Sequence, residues 1–207
     1  MERSIDKLNS ENQAKKLVYQ DGELILEFVL PNFKDVPAIC ESMKASRNDL
    51  ARFFPFAHYD GSFTYDSQDT RVKQCLADFY SGKHSEYWVF RGPDRTFVSC
   101  CSMYIEEVAT CDSFELGYWV STPETGKGYG TLINKILTVY MLAHIKVDRL
   151  AAPVNSGNKT SCHIYEKLGF KREGVMRGVD AMEVPEDSGY TYEATGDSVM
   201  YSLLADE

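Results

Sequence analysis

Between residues 126 and 131 the chain reads Gly126-Lys127-Gly128-Tyr129-Gly130-Thr131, with glycine at alternate positions. Glycine takes positive φ freely and lets a backbone come close to a ligand. Leu132, Ile133, Ile136, Leu137, Tyr140 and Met141 recur at helical spacing and predict a helix over 129–145. The first N–H groups of a helix have no intrahelical acceptor and lie at the positive end of its dipole. A glycine-rich loop at such a helix start is a site for a pyrophosphate. Two phosphate patterns do not fit: the P-loop needs Ser or Thr where Gly128 stands, and the dinucleotide fingerprint needs Gly where Thr131 stands. A structural turn is the other use of such a cluster.

Hydroxyls and carboxylates form a second set. Ser161 and Tyr165 are four residues apart in a segment whose pattern predicts a helix over 158–168, so both face one side of it. Glu115 alternates with Gly117 and Trp119 on one face of a strand-like run. Asp180 lies in a turn-rich stretch over 177–196. His58, His84, His144 and His163 are scattered without metal-ligand spacing, and no metal site is expected. The six cysteines include no Cys-x-x-Cys pair, and most fall in apolar runs where a thiol acts as a small hydrophobe.

These groups need elements to hold them. Residues 1–15 are polar and read as a tail, and 16–207 read as one domain without an internal repeat or linker. Two apolar runs joined by Asp21-Gly22 predict a hairpin with glycine at the second turn position. Asn32 is placed to cap a helix from Phe33, and a short helix over 47–54 is closed by Pro55. A helix over 67–82 follows, then strands over 87–90, 97–104 and 114–120. After the helix at 129–145 come a strand at 150–154, the helix at 158–168, and strands at 170–176 and 198–204. Strands in a row followed by strand–helix–strand alternation imply an α/β (α+β) fold with a mixed sheet.

The formal net charge is −9, which argues against binding a nucleic-acid backbone and suits a cationic acceptor. No apolar run reaches the roughly 20 residues of a membrane span, and the start of the chain lacks a signal-peptide pattern. A cytoplasmic, reducing location is expected.

The run Glu115-Leu116-Gly117-Tyr118-Trp119-Val120, a proline two residues past Ser121, and the glycine loop together resemble the acetyl-CoA motif of the GNAT superfamily. Thr125, Gly128 and Gly130 stand at the positions of its Arg/Gln-x-x-Gly-x-Gly/Ala pattern. Thr125 departs from it, and Lys127 is the nearby side chain that would compensate. Asn158-Lys159-Thr160-Ser161 and Tyr165-Glu166-Lys167-Leu168-Gly169-Phe170 resemble the family's second motif, in the expected order and spacing. Leu26 to Ala57 is similar to the branch that acetylates ribosomal-protein N-termini. The resemblance covers roughly residues 23–205.

That resemblance implies a mostly antiparallel sheet with helices on both faces and a splayed strand pair holding coenzyme A. It implies acetyl-CoA as co-substrate, bound by Val120, Thr125, Gly126, Lys127, Gly128, Tyr129, Gly130, Thr131, Asn155 and Asn158. A backbone N–H near residue 120 would polarise the thioester carbonyl. Tyr165 is the implied general acid with Ser161 as its rival, and Glu115 or Asp180 is the base. The implied acceptor is a protein N-terminal amine, or in a second reading a polyamine, an aminoglycoside or another small amine. A third reading is a CoA-binding module without catalysis. Segment 33–57 and loops 58–66 and 177–196 would set the acceptor, with Phe53, Phe54, Phe56 and Tyr59 either lining a pocket or packing helices. Many relatives pair into homodimers.

Overall fold

The computed structural model describes residues 14–106, 111–180, 183–185, 187–193 and 195–207. The chain opens with the expected hairpin, β1 (Lys16–Asp21) and β2 (Leu24–Val29). Its two-residue loop is Gly22–Glu23, so Gly22 takes the first loop position and not the second, with φ of 56°. Positive φ at the first position alone is the hairpin geometry that fits the right-handed twist of the strands.

Three short helices follow: α1 (Val36–Ala45), α2 (Arg47–Ala51) and α3 (Tyr65–Tyr80). Asn32 caps nothing. Its side-chain amide donates instead to Asp35 Oδ2 (2.8 Å) and to the Leu30 carbonyl (3.1 Å). A 3₁₀ turn over Phe33–Asp35 comes before α1, and Pro37, which has no N–H to cap, occupies its first turn. Thr64 is the true cap of α3, accepting from Ser67 N–H. Gln68, Val72, Cys75 and Phe79 make the buried stripe of that helix.

Next come β3 (His84–Arg91), β4 (Thr96–Glu106) and β5 (Ser113–Val120). Helix α4 (Tyr129–Val139) continues as a π-helical turn over Tyr140–Ile145, ended by Lys146 at φ 62°. The remainder is β6 (Arg149–Asn155), α5 (Lys159–Lys167), β7 (Lys171–Met176) and β8 (Ser198–Leu204).

The eight strands form one mixed sheet in the order β1-β2-β3-β4-β5-β6-β8-β7, antiparallel throughout except between β5 and β6. On one face α4 and α5 bury Ile133, Leu137, Cys162 and Tyr165 against Tyr87, Val89, Phe114 and Leu116. On the other, α1 to α3 bury Ile39, Met43 and Val72 against Trp88, Phe90 and Cys100. Alternate residues of β3 thus serve two cores, as period-two strand geometry requires. Of the expected tail, 1–13 lie outside the described residues. Ala14 is held between two phenols, its N–H donating to Tyr140 Oη (2.9 Å) and its carbonyl accepting from Tyr87 Oη (2.5 Å).

Candidate active site

The parallel pair β5–β6 is joined only at Ser113–Arg149, Phe114–Leu150 and Glu115–Ala151. Past Glu115, β5 stays with β4 while β6 stays with β8, so the two strands part. The backbone groups of β5 alternate in direction. Ser121 N–H bonds the Val98 carbonyl (2.8 Å), and the Trp119 carbonyl accepts the Ser99 hydroxyl (2.7 Å), so the odd-numbered residues face β4. Leu116, Tyr118 and Val120 therefore present their N–H and C=O groups to the gap. Among the described residues no strand pairs with them there.

A cavity of about 250 Å³ occupies that gap. Asn155, Asn158, Ser161, Tyr165 and Asp180, all singled out from sequence, line it. Asn158 caps α5, its Oδ1 accepting from Ser161 N–H (3.1 Å). Asn155 Oδ1 accepts from Gly157 N–H (2.9 Å) and Thr195 N–H (3.3 Å), while its amide nitrogen donates to Asp180 Oδ2 (3.4 Å). The Ser198 hydroxyl also donates to that carboxylate.

Tyr165 is buried among aromatic rings. Its hydroxyl lies 3.2 Å from Asn134 Oδ1 and 3.4 Å from the Leu116 carbonyl. Burial pushes the phenol well above its ordinary pKa, and Tyr118 and Glu115 add to the effect. Ser161 Oγ is 3.1 Å from Tyr118 Oη, a hydroxyl pair not foreseen from sequence. Its trace was the position of Tyr118 within the first motif. Burial raises the Tyr118 phenol too, and the bond to Ser161 lowers it in part.

Glu115 lies where the strands part and lines neither this cavity nor the one on the opposite face. Burial raises its carboxyl pKa, helped by the negative charges of Glu106 and Asp180. The opposite cavity, about 260 Å³, lies between β4, β5 and the helices α1 and α3, and it shares Phe54, Gly117 and Tyr118 with the first. The two spaces thus meet at the middle of β5. Phe53 and Phe54 line the first, Phe54 and Phe56 line the second, and Tyr59 lines neither.

The glycine loop stands at the start of α4. Gly126 and Gly128 have φ of 74° and 83° with nothing near an added Cβ, so glycine is required there by backbone conformation and not by space. A Cβ at Gly130 would meet Ile164 Cδ1 at 3.1 Å and Tyr118 Cε2 at 3.5 Å, so glycine there lets α4 approach β5 and α5. The helix's first backbone bond runs from Leu132 N–H to the Gly128 carbonyl (3.1 Å), which leaves the N–H groups of Tyr129, Gly130 and Thr131 without helical partners. Thr125 Oγ1 donates back to the Thr122 carbonyl (2.8 Å). Lys127 Nζ is 3.0 Å from buried Glu124, which ties its charge to the loop. Unpaired amides beside an open strand edge suit a phosphate-tailed, amide-containing ligand.

A parted parallel strand pair and a helix start with free N–H groups, within a mostly antiparallel sheet, suit a transferase with an extended, phosphate-bearing donor. The chain matches the acetyltransferase (GNAT) domain family over residues 25–171 and belongs to that family, whose members use acetyl-CoA. It is 22% identical over 135 residues to the protein named "Probable N-acetyltransferase YjcK" of Bacillus subtilis, covering 65% of this chain and 75% of that one. In fold it is similar to the ribosomal-protein-S5-alanine acetyltransferase of Vibrio fischeri, with a TM-score of 0.75 and 16% identity over 92% of this chain and 98% of that one. It is similar also to RimJ of Mycobacterium smegmatis, solved in complex with CoA-disulfide, with a TM-score of 0.76 and 18% identity over 92% and 87% of the two chains.

Among the described residues no group of His, Cys, Asp or Glu is arranged to hold a metal, and no helix is long and apolar enough to cross a membrane. The six cysteines are all free.

Proposed function

We propose that this acetyltransferase acetylates a primary amine, and that its acceptor is the N-terminal amine of a protein such as a ribosomal protein. The observation that carries the reading is the meeting of two cavities at Gly117–Tyr118, one in the strand gap and one on the opposite face. A donor and an acceptor entering from opposite sides would meet there. The fold likeness to the Vibrio fischeri enzyme supports a protein terminus as acceptor.

Acetyl-CoA, when bound, supplies the acetyl group as a thioester. The loop amides of residues 126–131 bind phosphate, and Asn155, Asn158 and the open edge of β5 orient the amide-bearing arm. Val120 N–H is the backbone donor available to a carbonyl oxygen in the gap. Glu115 or Asp180 takes the proton of the incoming amine, Asp180 from the lining of the gap and Glu115, whose carboxyl pKa burial raises, through a water. Tyr165 gives a proton to the departing group, with Ser161 as the other donor. A phenol held above its usual pKa stays protonated throughout the neutral range.

Intact-mass analysis with acetyl-CoA tests the proposal against N-terminal peptides of ribosomal proteins, a polyamine and an aminoglycoside. A 42-dalton gain on the peptide α-amine, on the order of one acetyl group, is expected. A gain confined to the polyamine or the aminoglycoside would move the acceptor to small molecules. No gain on any amine, with CoA bound, would leave a binding module.

A further inference from the structure

The cavity on the helix side of the sheet is walled by apolar and aromatic side chains, including Ile39, Met43, Phe56, Trp88 and Trp119, and one charged side chain, Arg71, lines it. Arg71 is fixed from behind. Its Nε and Nη2 donate to the two oxygens of Glu86 at 3.1 and 2.5 Å, a fork-to-fork pair. Glu86 is fully buried and also accepts the Trp88 indole N–H at 2.9 Å, so its oxygens are committed to groups inside the protein. Arg71 keeps 43% of its side chain exposed, and its Nη1 donates to no described residue. A planar guanidinium held by two of its nitrogens aims the third rigidly.

An apolar-walled cavity with a fixed donor and no lining carboxylate favours an anionic group at its Arg71 end. An ammonium group at that end would meet the Arg71 guanidinium, and the adjacent carboxylate, Glu86, already has its oxygens bonded. A carboxylate would meet a preorganised donor. We infer that the acceptor is an amine that also carries a carboxylate, seated on Arg71 while its amino group points to Gly117. This rests on the acetyltransfer reading above and narrows its substrate class. The carboxylate has two possible sources, an acidic side chain in the first residues of a peptide or the α-carboxylate of a free amino acid.

Both tryptophans of the chain, Trp88 and Trp119, line this cavity, so their fluorescence reports acceptor binding without turnover. The probes are hexapeptides with Asp or Asn at the second position, and an apolar amino acid beside its amide. In at least one pair the carboxylate form should bind roughly tenfold or more tightly, the scale of one charge-assisted bond. Removing Arg71 alone would strand a buried Glu86, so the test variant is the double change Arg71→Gln, Glu86→Gln, checked by circular dichroism. It should abolish the preference and leave the KM for acetyl-CoA unchanged. Equal binding within both pairs, or a preference that survives in the folded double variant, overturns the inference. Acetylation of amines without that preference would sink this inference alone. Carboxylate binding without any acetylation would overturn the functional reading, and with it the claim that the bound carboxylate belongs to an acceptor.

Discussion

Tyr165 has two hydrogen-bond partners and a raised pKa, which separates its two conceivable uses. If it only fills the core, Tyr165→Phe keeps the ring and changes little. If it gives the proton, Tyr165→Phe should lower kcat by roughly 10²-fold with the fold and CoA affinity nearly unchanged. Ser161→Ala is the control, since its hydroxyl is bonded to Tyr118 and it lines the same cavity. Normal turnover in Tyr165→Phe together with a dead Ser161→Ala would assign the acid to Ser161. Glu115 carries a pH signature. A base must be ionised, and its carboxyl pKa is raised by burial and by neighbouring negative charge. The acid limb of kcat/KM should therefore lie above the ordinary carboxylate range, with activity lost as pH falls through it. Glu115→Gln should remove that limb. A limb that persists in Glu115→Gln would direct attention to Asp180.

At the scale of elements, the glycine loop works by two distinct constraints. At Gly128 a side chain has room but the wrong φ, whereas at Gly130 it has the right φ and no room. Gly130→Val should weaken CoA binding tenfold or more by moving α4 off β5, as calorimetry would show. Thr125→Arg should tighten binding by about 1 kcal/mol or leave it alone, because the Thr125 hydroxyl serves only a local turn. A large loss of affinity would mean that this turn positions the amides. Most elements were legible in the sequence because their apolar periods were strong, and helix 158–168 with its Asn158 cap is the plainest case. The misses were of local chemistry. Asn32 has the residue type of a cap, but Pro37 and Asp35 give the helix another start. Asp21-Gly22 matches a commoner turn than the one formed, which lies one residue later at Gly22–Glu23. The parting of β5 and β6 has no local signal, since nothing in either strand states where its partner leaves. The pairing of Arg71 with Glu86 and of Tyr118 with Ser161 was hidden for the same reason, as each joins residues far apart in the chain.

Across the whole molecule, the pair Arg71–Glu86 links α3 to the sheet beneath it. Burial alone would raise the Glu86 pKa, but Arg71 and the Trp88 indole outweigh it and hold the pKa below the ordinary value. A carboxylate lowered in the folded state adds stability above its unfolded pKa and loses it as pH falls through the folded one. Glu86→Gln should therefore cost about 2 kcal/mol near neutrality, less than a fully buried pair because Arg71 is partly exposed. It should also flatten the acid limb of stability. Thermal unfolding at several pH values checks both, and a variant whose stability falls with acid as steeply as the wild type would discount the linkage.

The clasp at Ala14 bears on how the protein can be shortened. Tyr87 and Tyr140 are buried phenols whose hydroxyls bond each other and the backbone of one residue just ahead of β1. A chain cut to begin at Lys16 would keep every strand yet lose both bonds to Ala14 and leave the two phenols only their bond to each other. The penalty for two lost hydrogen bonds is on the order of 2 kcal/mol, enough to lower a melting temperature by several degrees. Phenylalanine at both positions would remove the two hydroxyls together and recover part of that loss, so a trimmed protein that needs neither hydroxyl is within reach of two substitutions.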